Sequence, residues 1–207
     1  MSIKIRKATE ADSKFLATMI LESSRAGKTF GKFDLIFDTN DSAELIDSIS
    51  KLTTTAVKNH CHYSNFLVAE IDGNLVGTLC SYEPRIATKE ASLLALSEII
   101  DDDAIEERLA PLYSCEFDLK KNALMFDFME EVDGFIDVGI LKALMQKSLL
   151  TARLKGYTKA QTIVEIGSLE TIMFYKTLGF RELESKECEE YKKTFGRSGL
   201  MLLALEF

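Results

Sequence analysis

Apolar and polar residues recur along most of this chain with a readable period. From 123 to 132 the sequence is an apolar run interrupted by Asp127, Glu130 and Glu131, closed by a turn at Asp133-Gly134. Helical spacing follows over about 139–155, then a second apolar run (160–166) and a short helix ending at Leu178-Gly179-Phe180. Strand, loop, helix, strand and helix in that order predict two parallel strands with a helix crossing between them. The loop that opens the longer helix would present free N–H groups and the positive helix end, which suits a bound anion.

The pattern upstream is also legible. Ile3-Lys4-Ile5-Arg6 alternates as a strand at a sheet edge does. Thr9 and Asp12 have capping-box spacing, and Phe15, Leu16, Met19 and Ile20 continue a helix to about Ser24. Residues 26–39 read as a loop in which Phe30, Phe33 and Phe37 either line a site or pack the core. Asp41-Ser42 caps a second helix through Ala43, Leu45, Ile46, Ile49 and Leu52. Runs at 65–71 and 75–82 are strands joined by the hairpin turn Asp72-Gly73-Asn74. Gly77 inside the second run marks a bulge or a close backbone approach.

A helical insertion of about 85–122 is expected next, from the spacing of Leu93, Leu94, Leu96, Ile99 and Ile100 and a further helix over 104–119. Its acids, Asp101, Asp102, Asp103, Glu106 and Glu107, are either a solvated helix cap and face or an acidic wall that selects an amine. The chain should close with two antiparallel strands around a polar loop bearing Lys192, Lys193 and Arg197. The last strand, 200–205, is apolar on both faces, so it should be central or covered by a partner subunit, as in a homodimer.

Two stretches carry a resemblance to a known family. Ile136-Asp137-Val138-Gly139-Ile140-Leu141 stands where the GNAT superfamily, the acetyl-CoA-dependent N-acyltransferases, has its loop Arg/Gln-x-x-Gly-x-Gly/Ala. Gly139 is kept; Ile136 and Leu141 depart from the pattern. Ser168-Leu169-Glu170-Thr171-Ile172-Met173-Phe174-Tyr175-Lys176-Thr177-Leu178-Gly179-Phe180 resembles the second motif, Asn-x-x-Ala-x-x-hydrophobic-Tyr-x-x-hydrophobic-Gly-Phe. Its Phe-Tyr-x-x-Leu-Gly-Phe end fits; Ser168 and Thr171 replace the Asn and Ala.

The resemblance implies a single GNAT-like domain over 1–207, a mixed α/β fold with a mostly antiparallel central sheet of six or seven strands flanked by helices. It also implies acetyl-CoA as cosubstrate and a primary amine of a small molecule or peptide as acceptor. The cofactor-binding residues would then be Val132, Ile136, Asp137, Val138, Gly139, Ile140, Leu141, Ser168 and Tyr175. Tyr175 would be the general acid that protonates the departing thiolate. For the base, the central strand offers Asp127, Glu130 and Glu131. Strict alternation puts Asp127 and Glu131 on one face and Glu130 on the other, so Asp127 or Glu131 is the expected base, although a bulge would shift that phase.

Charge and composition narrow the classes. A net charge of −8 and a pI of about 5.0 argue against nucleic acid or an anionic membrane as partner. No apolar stretch reaches the length of a membrane span, and the N-terminus lacks an apolar signal region. A cytoplasmic protein is expected. The four cysteines, Cys61, Cys80, Cys115 and Cys188, read as free buried thiols that suit a reducing compartment. His60-Cys61-His62 has poor chelating geometry, so no metal is expected. Two other readings stay open: a GNAT-fold acyl-CoA-binding or regulatory module with weakened catalysis, and an interaction protein that uses the insertion.

Overall fold

The computed structural model describes residues 2–102, 104–119, 123–135 and 139–207. Ile136, Asp137 and Val138 of the loop, Asp103 of the acid run and Asn122 at the end of the expected insertion lie outside the described residues. A seven-stranded sheet forms the centre, in the order β1-β2-β3-β4-β5-β7-β6. Its strands are β1 (Lys4–Lys7), β2 (Phe66–Ile71), β3 (Asn74–Tyr82), β4 (Ala123–Glu131), β5 (Lys159–Glu165), β6 (Arg181–Glu187) and β7 (Gly199–Glu206). Among the described residues only β4 and β5 pair in parallel, over Ala123–Met125 against Lys159–Gln161. Beyond Met125 the two strands part, and a fork opens in the middle of the sheet. As expected, β7 is interior, between β5 and β6, and β1 is an edge.

Helices cover both faces. On one lie α1 (Ser13–Arg25), α2 (Lys32–Phe37), α3 (Ser42–Leu52) and the insertion helices α4 (Lys89–Leu96) and α5 (Ile105–Tyr113). They share a core with Phe66, Val68, Met125 and Phe128. On the other, α6 (Ile140–Leu154) and α7 (Leu169–Thr177) pack with Leu79, Phe126, Phe180 and Leu203. The last helix, α8 (Glu189–Phe195), precedes β7. Among the described residues no helix is long and apolar enough to cross a membrane.

Local chemistry explains the elements. Asp12 accepts from the Thr9 N–H at 2.7 Å and is held by the Arg6 guanidinium at 2.8 Å, which keeps its carboxyl at about 2. Asp41 accepts from Ala43 and Glu44 at the start of α3. Asp72 and Gly73 both take positive φ, 52° and 83°, in the two-residue turn joining β2 to β3.

Four expectations need correction. The 26–39 stretch is not all loop: Asp34 accepts from the Gly31 N–H at 2.8 Å and pairs with Arg25 at 2.6 Å, which nucleates α2. The stretch with Lys192 and Lys193 is helix α8, with two acids in its first turn and two lysines in its last, an arrangement that favours the helix dipole. Cys115 and Cys188 are joined by a disulfide, with Cα atoms 6.0 Å apart, while Cys61 and Cys80 are free and buried. The pair lies 73 residues apart in sequence and meets because the chain after α5 packs beside α8. The fourth correction concerns β4 and belongs to the site.

Candidate active site

The fork is a cleft with a wall from each side of the sheet. Strand β4 enters it carrying a bulge: Cys80 pairs with Asp127 and Thr78 with Glu130, so two residues of β4 oppose one of β3. Phe128 sits in the bulge at φ 46°, unusual for a bulky side chain, and its carbonyl accepts from the Thr78 hydroxyl at 3.0 Å. The bulge turns one extra residue. Asp127 and Glu130 therefore share a face, and Glu131, opposite Gly77, lies on the other. The expected pairing of Asp127 with Glu131 is overturned.

A cavity of about 490 Å³ occupies the fork and extends beneath the insertion. Both Asp127 and Glu130 line it, and Glu131 does not. Their surroundings differ. Asp127 accepts from the Phe128 N–H at 2.9 Å and has the Lys32 ammonium at 3.7 Å; that ammonium also lies 4.3 Å above the Phe128 ring. Burial pushes the Glu130 carboxyl up from 4.5 to about 7, helped by the negative charges of Glu22, Glu131 and Asp133. Glu165, a third lining acid, is engaged by Lys28 at 2.5 Å and by the Tyr191 hydroxyl at 2.9 Å.

Across the fork stands Tyr175, on α7. Its ring is fixed edge-on against Phe180, with centroids 5.2 Å apart, and it lines the same cavity. Burial raises its hydroxyl well above the ordinary tyrosine value, against the effect of a hydrogen bond with Thr162, so it keeps its proton at neutral pH. Ser168 precedes α7, donates to the Thr171 hydroxyl at 3.0 Å, and also borders the cavity.

Helix α6 begins at the fork. Gly139 precedes it at φ 85°, and nothing lies within 4 Å of where a Cβ would stand. Ile140 is fully buried against Gly77, whereas Leu141 lines the cavity. The N–H groups of a helix's first turn have no intrahelical acceptor; here they adjoin open space. Val132 is less available, because its N–H donates to the Val76 carbonyl at 2.9 Å.

Sequence reasoning missed two parts of the site. Glu130 was visible as an acid but assigned to the wrong face. His60, considered only as a metal ligand, is a wall of the cavity stacked on Phe128 at 5.8 Å. Burial pushes it down to about 3, so it is neutral. Among the described residues no group of His, Cys, Asp and Glu could hold a metal ion.

The architecture is mixed α/β, a sheet forked between two parallel strands with a helix N-terminus at the fork. More particularly, the chain has the GNAT fold. An N-acetyltransferase from Staphylococcus aureus Mu50 superposes on it with a TM-score of 0.72 at 17% identity, over 98% of this chain and 100% of that one. An acetyltransferase of the GNAT family from the same organism gives 0.56 at 14% identity, over 99% of each chain. The PaiA N-acetyltransferase of Thermoplasma acidophilum, solved in complex with coenzyme A, gives 0.56 at 15% identity over the whole of both chains. No family model matches the chain, and no curated protein matches it in sequence.

Proposed function

We propose that this protein is an N-acetyltransferase that uses acetyl-CoA and a primary amine, which attacks the acyl group directly. The observation that carries the reading is the pair Glu130 and Tyr175, lining one cavity from opposite sides of the fork. One is a carboxyl tuned to about 7; the other is a hydroxyl that burial keeps protonated. A base near neutral pH and an acid that retains its proton are the two groups that acyl transfer to an ammonium requires.

The residues present fit acetyl-CoA. The open space at Gly139 leaves room for a phosphate beside the first turn of α6, whose N–H groups favour an anion. Gly139, Ile140 and Leu141 would hold it there, together with Ile136, Asp137 and Val138 of the preceding loop. Ser168 and Tyr175 would border the acyl end. Acetyl-CoA supplies a thioester, an acyl group already activated toward an amine.

The chain's own residues do the rest. Ionised Glu130 removes a proton from the incoming ammonium, directly or through water. Tyr175 holds a proton ready for the sulfur that leaves. Past Met125, β4 no longer pairs with β5; the Phe128 N–H there is held by Asp127, and a β4 N–H that turns to the fork without such a partner would suit a carbonyl oxygen. Asp127, tied to Lys32 and to the Phe128 N–H, positions the bulge.

Isothermal titration with acetyl-CoA, followed by mass detection of N-acetylated amines, tests the proposal. Binding with turnover is expected. Binding without turnover on any amine would leave a GNAT-fold binding module, and no binding would end the reading.

A further inference from the structure

We infer that the acceptor is a small monoamine with an uncharged, apolar or ring-bearing body, which lies in the part of the cavity roofed by the helical insertion. This rests on the acyl-transfer reading above and specifies its substrate class. Three observations carry it.

The first is the lining. Phe33, Ile36, Tyr82, Leu96, Leu109 and Leu112 form the walls away from the fork. An apolar body gains from such a wall, and an aromatic ring gains further from ring contacts. A second charge placed there would be desolvated with nothing to compensate it.

The second is where the acids of the insertion point. Asp102 and Glu106 are exposed; Asp102 pairs with Arg108, and Glu106 with Lys89 at 2.7 Å. The described acids of the expected acidic wall are thus on the outside. The face that α4 and α5 turn inward carries Ser92, Leu96, Leu109, Leu112 and Tyr113. Charge for an ammonium is therefore concentrated at the fork. There Lys32 already accompanies Asp127 and Lys28 accompanies Glu165; the other lining acids are Glu130 and Glu170, of which Glu170 is exposed and Glu130 the more enclosed.

The third is that the polar groups of the inner wall are largely committed. The Tyr113 hydroxyl donates to Ser92 at 3.0 Å. Asn59 donates to the Leu52 carbonyl and to Thr55, and accepts from the Cys61 N–H. His60 is neutral, stacked on Phe128 and tilted against Tyr82, and its buried Nδ1 is a polar atom without a hydrogen-bond partner. Apart from that one nitrogen, such a wall offers little to the repeated polar groups of a peptide backbone or to the second charge of a polyamine, and it suits one ammonium at the fork with an apolar body behind it.

The test uses the full chain with acetyl-CoA and an equimolar mixture of phenethylamine, spermidine and the tripeptide Ala-Ala-Ala, with products counted by mass spectrometry. Phenethylamine is expected to be preferred by about tenfold or more in kcat/KM, the scale on which apolar pockets discriminate. Leu112→Trp, which fills the cavity from the insertion side, is expected to lower kcat/KM for phenethylamine by about tenfold with acetyl-CoA affinity unchanged. Preference for spermidine or the tripeptide, or no preference, would overturn the inference. So would a folded Leu112→Trp protein with unaltered phenethylamine kinetics. Titration of acetyl-CoA in the same samples separates the two failures: intact cofactor binding with the wrong acceptor preference defeats only the inference, and absent binding defeats the acyl-transfer reading beneath it.

Discussion

Gly77 faces Ile140 so closely that a Cβ on the glycine would stand 2.7 Å from the isoleucine Cγ2 and 3.2 Å from the Glu130 carbonyl oxygen. The contact seats the first turn of α6 on β3, beside the bulge of β4. Gly77→Ala should therefore move the helix start relative to the bulge. Overpacking of this kind costs about 1–3 kcal/mol. A lower melting temperature together with weaker acetyl-CoA binding is the expected pair of effects; a wild-type melt would show that the neighbours yield without strain.

Glu130→Gln should reduce turnover by about 10²- to 10⁴-fold, the usual loss for a general base. In the wild type the rate should rise as pH passes about 7, because the base works only when ionised. Stability runs the other way. Burial raises this carboxyl from 4.5 to about 7 in the fold, so the folded state binds an extra proton between those values. Its favourable contribution is complete below the lower value and is lost as pH rises through the upper one. The charged carboxylate then costs at most about 3 kcal/mol. Glu130→Gln should accordingly melt higher than wild type above pH 7 while being nearly inactive. Equal melting at high pH would mean that the carboxylate is well solvated.

Tyr175→Phe keeps the ring packed on Phe180 and removes the proton. It should fold and bind acetyl-CoA normally yet turn over about 10²- to 10⁴-fold more slowly. Turnover within a factor of about two of wild type, on any amine the native protein accepts, would reduce Tyr175 to a packing residue.

Gly139 combines positive φ with open space, so backbone strain and side-chain effects can be separated there. Gly139→Ala should cost about 1 kcal/mol in stability through its backbone alone. Gly139→Glu should melt similarly and bind acetyl-CoA roughly tenfold more weakly than the alanine variant, since it adds a negative charge where a phosphate would sit. Identical affinities for the two variants would place the phosphates elsewhere.

The Cys115–Cys188 bridge ties the end of the insertion to the start of α8. For a closed loop of this length, chain entropy gives about 4 kcal/mol of stabilisation. Reductant should lower the melting temperature of the wild type and leave Cys188→Ala unchanged. A wild-type melt insensitive to reductant would show that the thiols remain free.

Much of the fold was legible because its elements are locally encoded. Thr9 and Asp12 at the first turn, Asp41 before α3, and Asp72-Gly73 in the hairpin each have one good conformational solution. The Phe-Tyr-x-x-Leu-Gly-Phe stretch likewise marked the end of α7. What escaped depends on contacts between distant segments. Helix α2 needs the Arg25–Asp34 ion pair, which spacing alone does not reveal. The disulfide needs the insertion folded against α8. The site turned on a single residue, Phe128: its left-handed backbone changes the phase of β4 and exchanges Glu131 for Glu130 in the cavity. Alternation supposes a regular strand, and nothing local to a phenylalanine announces that it will break one.

The fork has a consequence for local dynamics. In most sheets the middle strands carry the amides slowest to exchange with solvent deuterium, since opening them requires unfolding of the whole domain. Here β4 and β5 part after Met125, so β4 amides that turn to the fork are expected to form a faster-exchanging stripe within a central strand, apart from the Phe128 N–H that Asp127 holds. A molecule seated in the cleft would quench exchange along that stripe, reporting occupancy in the backbone itself, independently of any chemistry it undergoes.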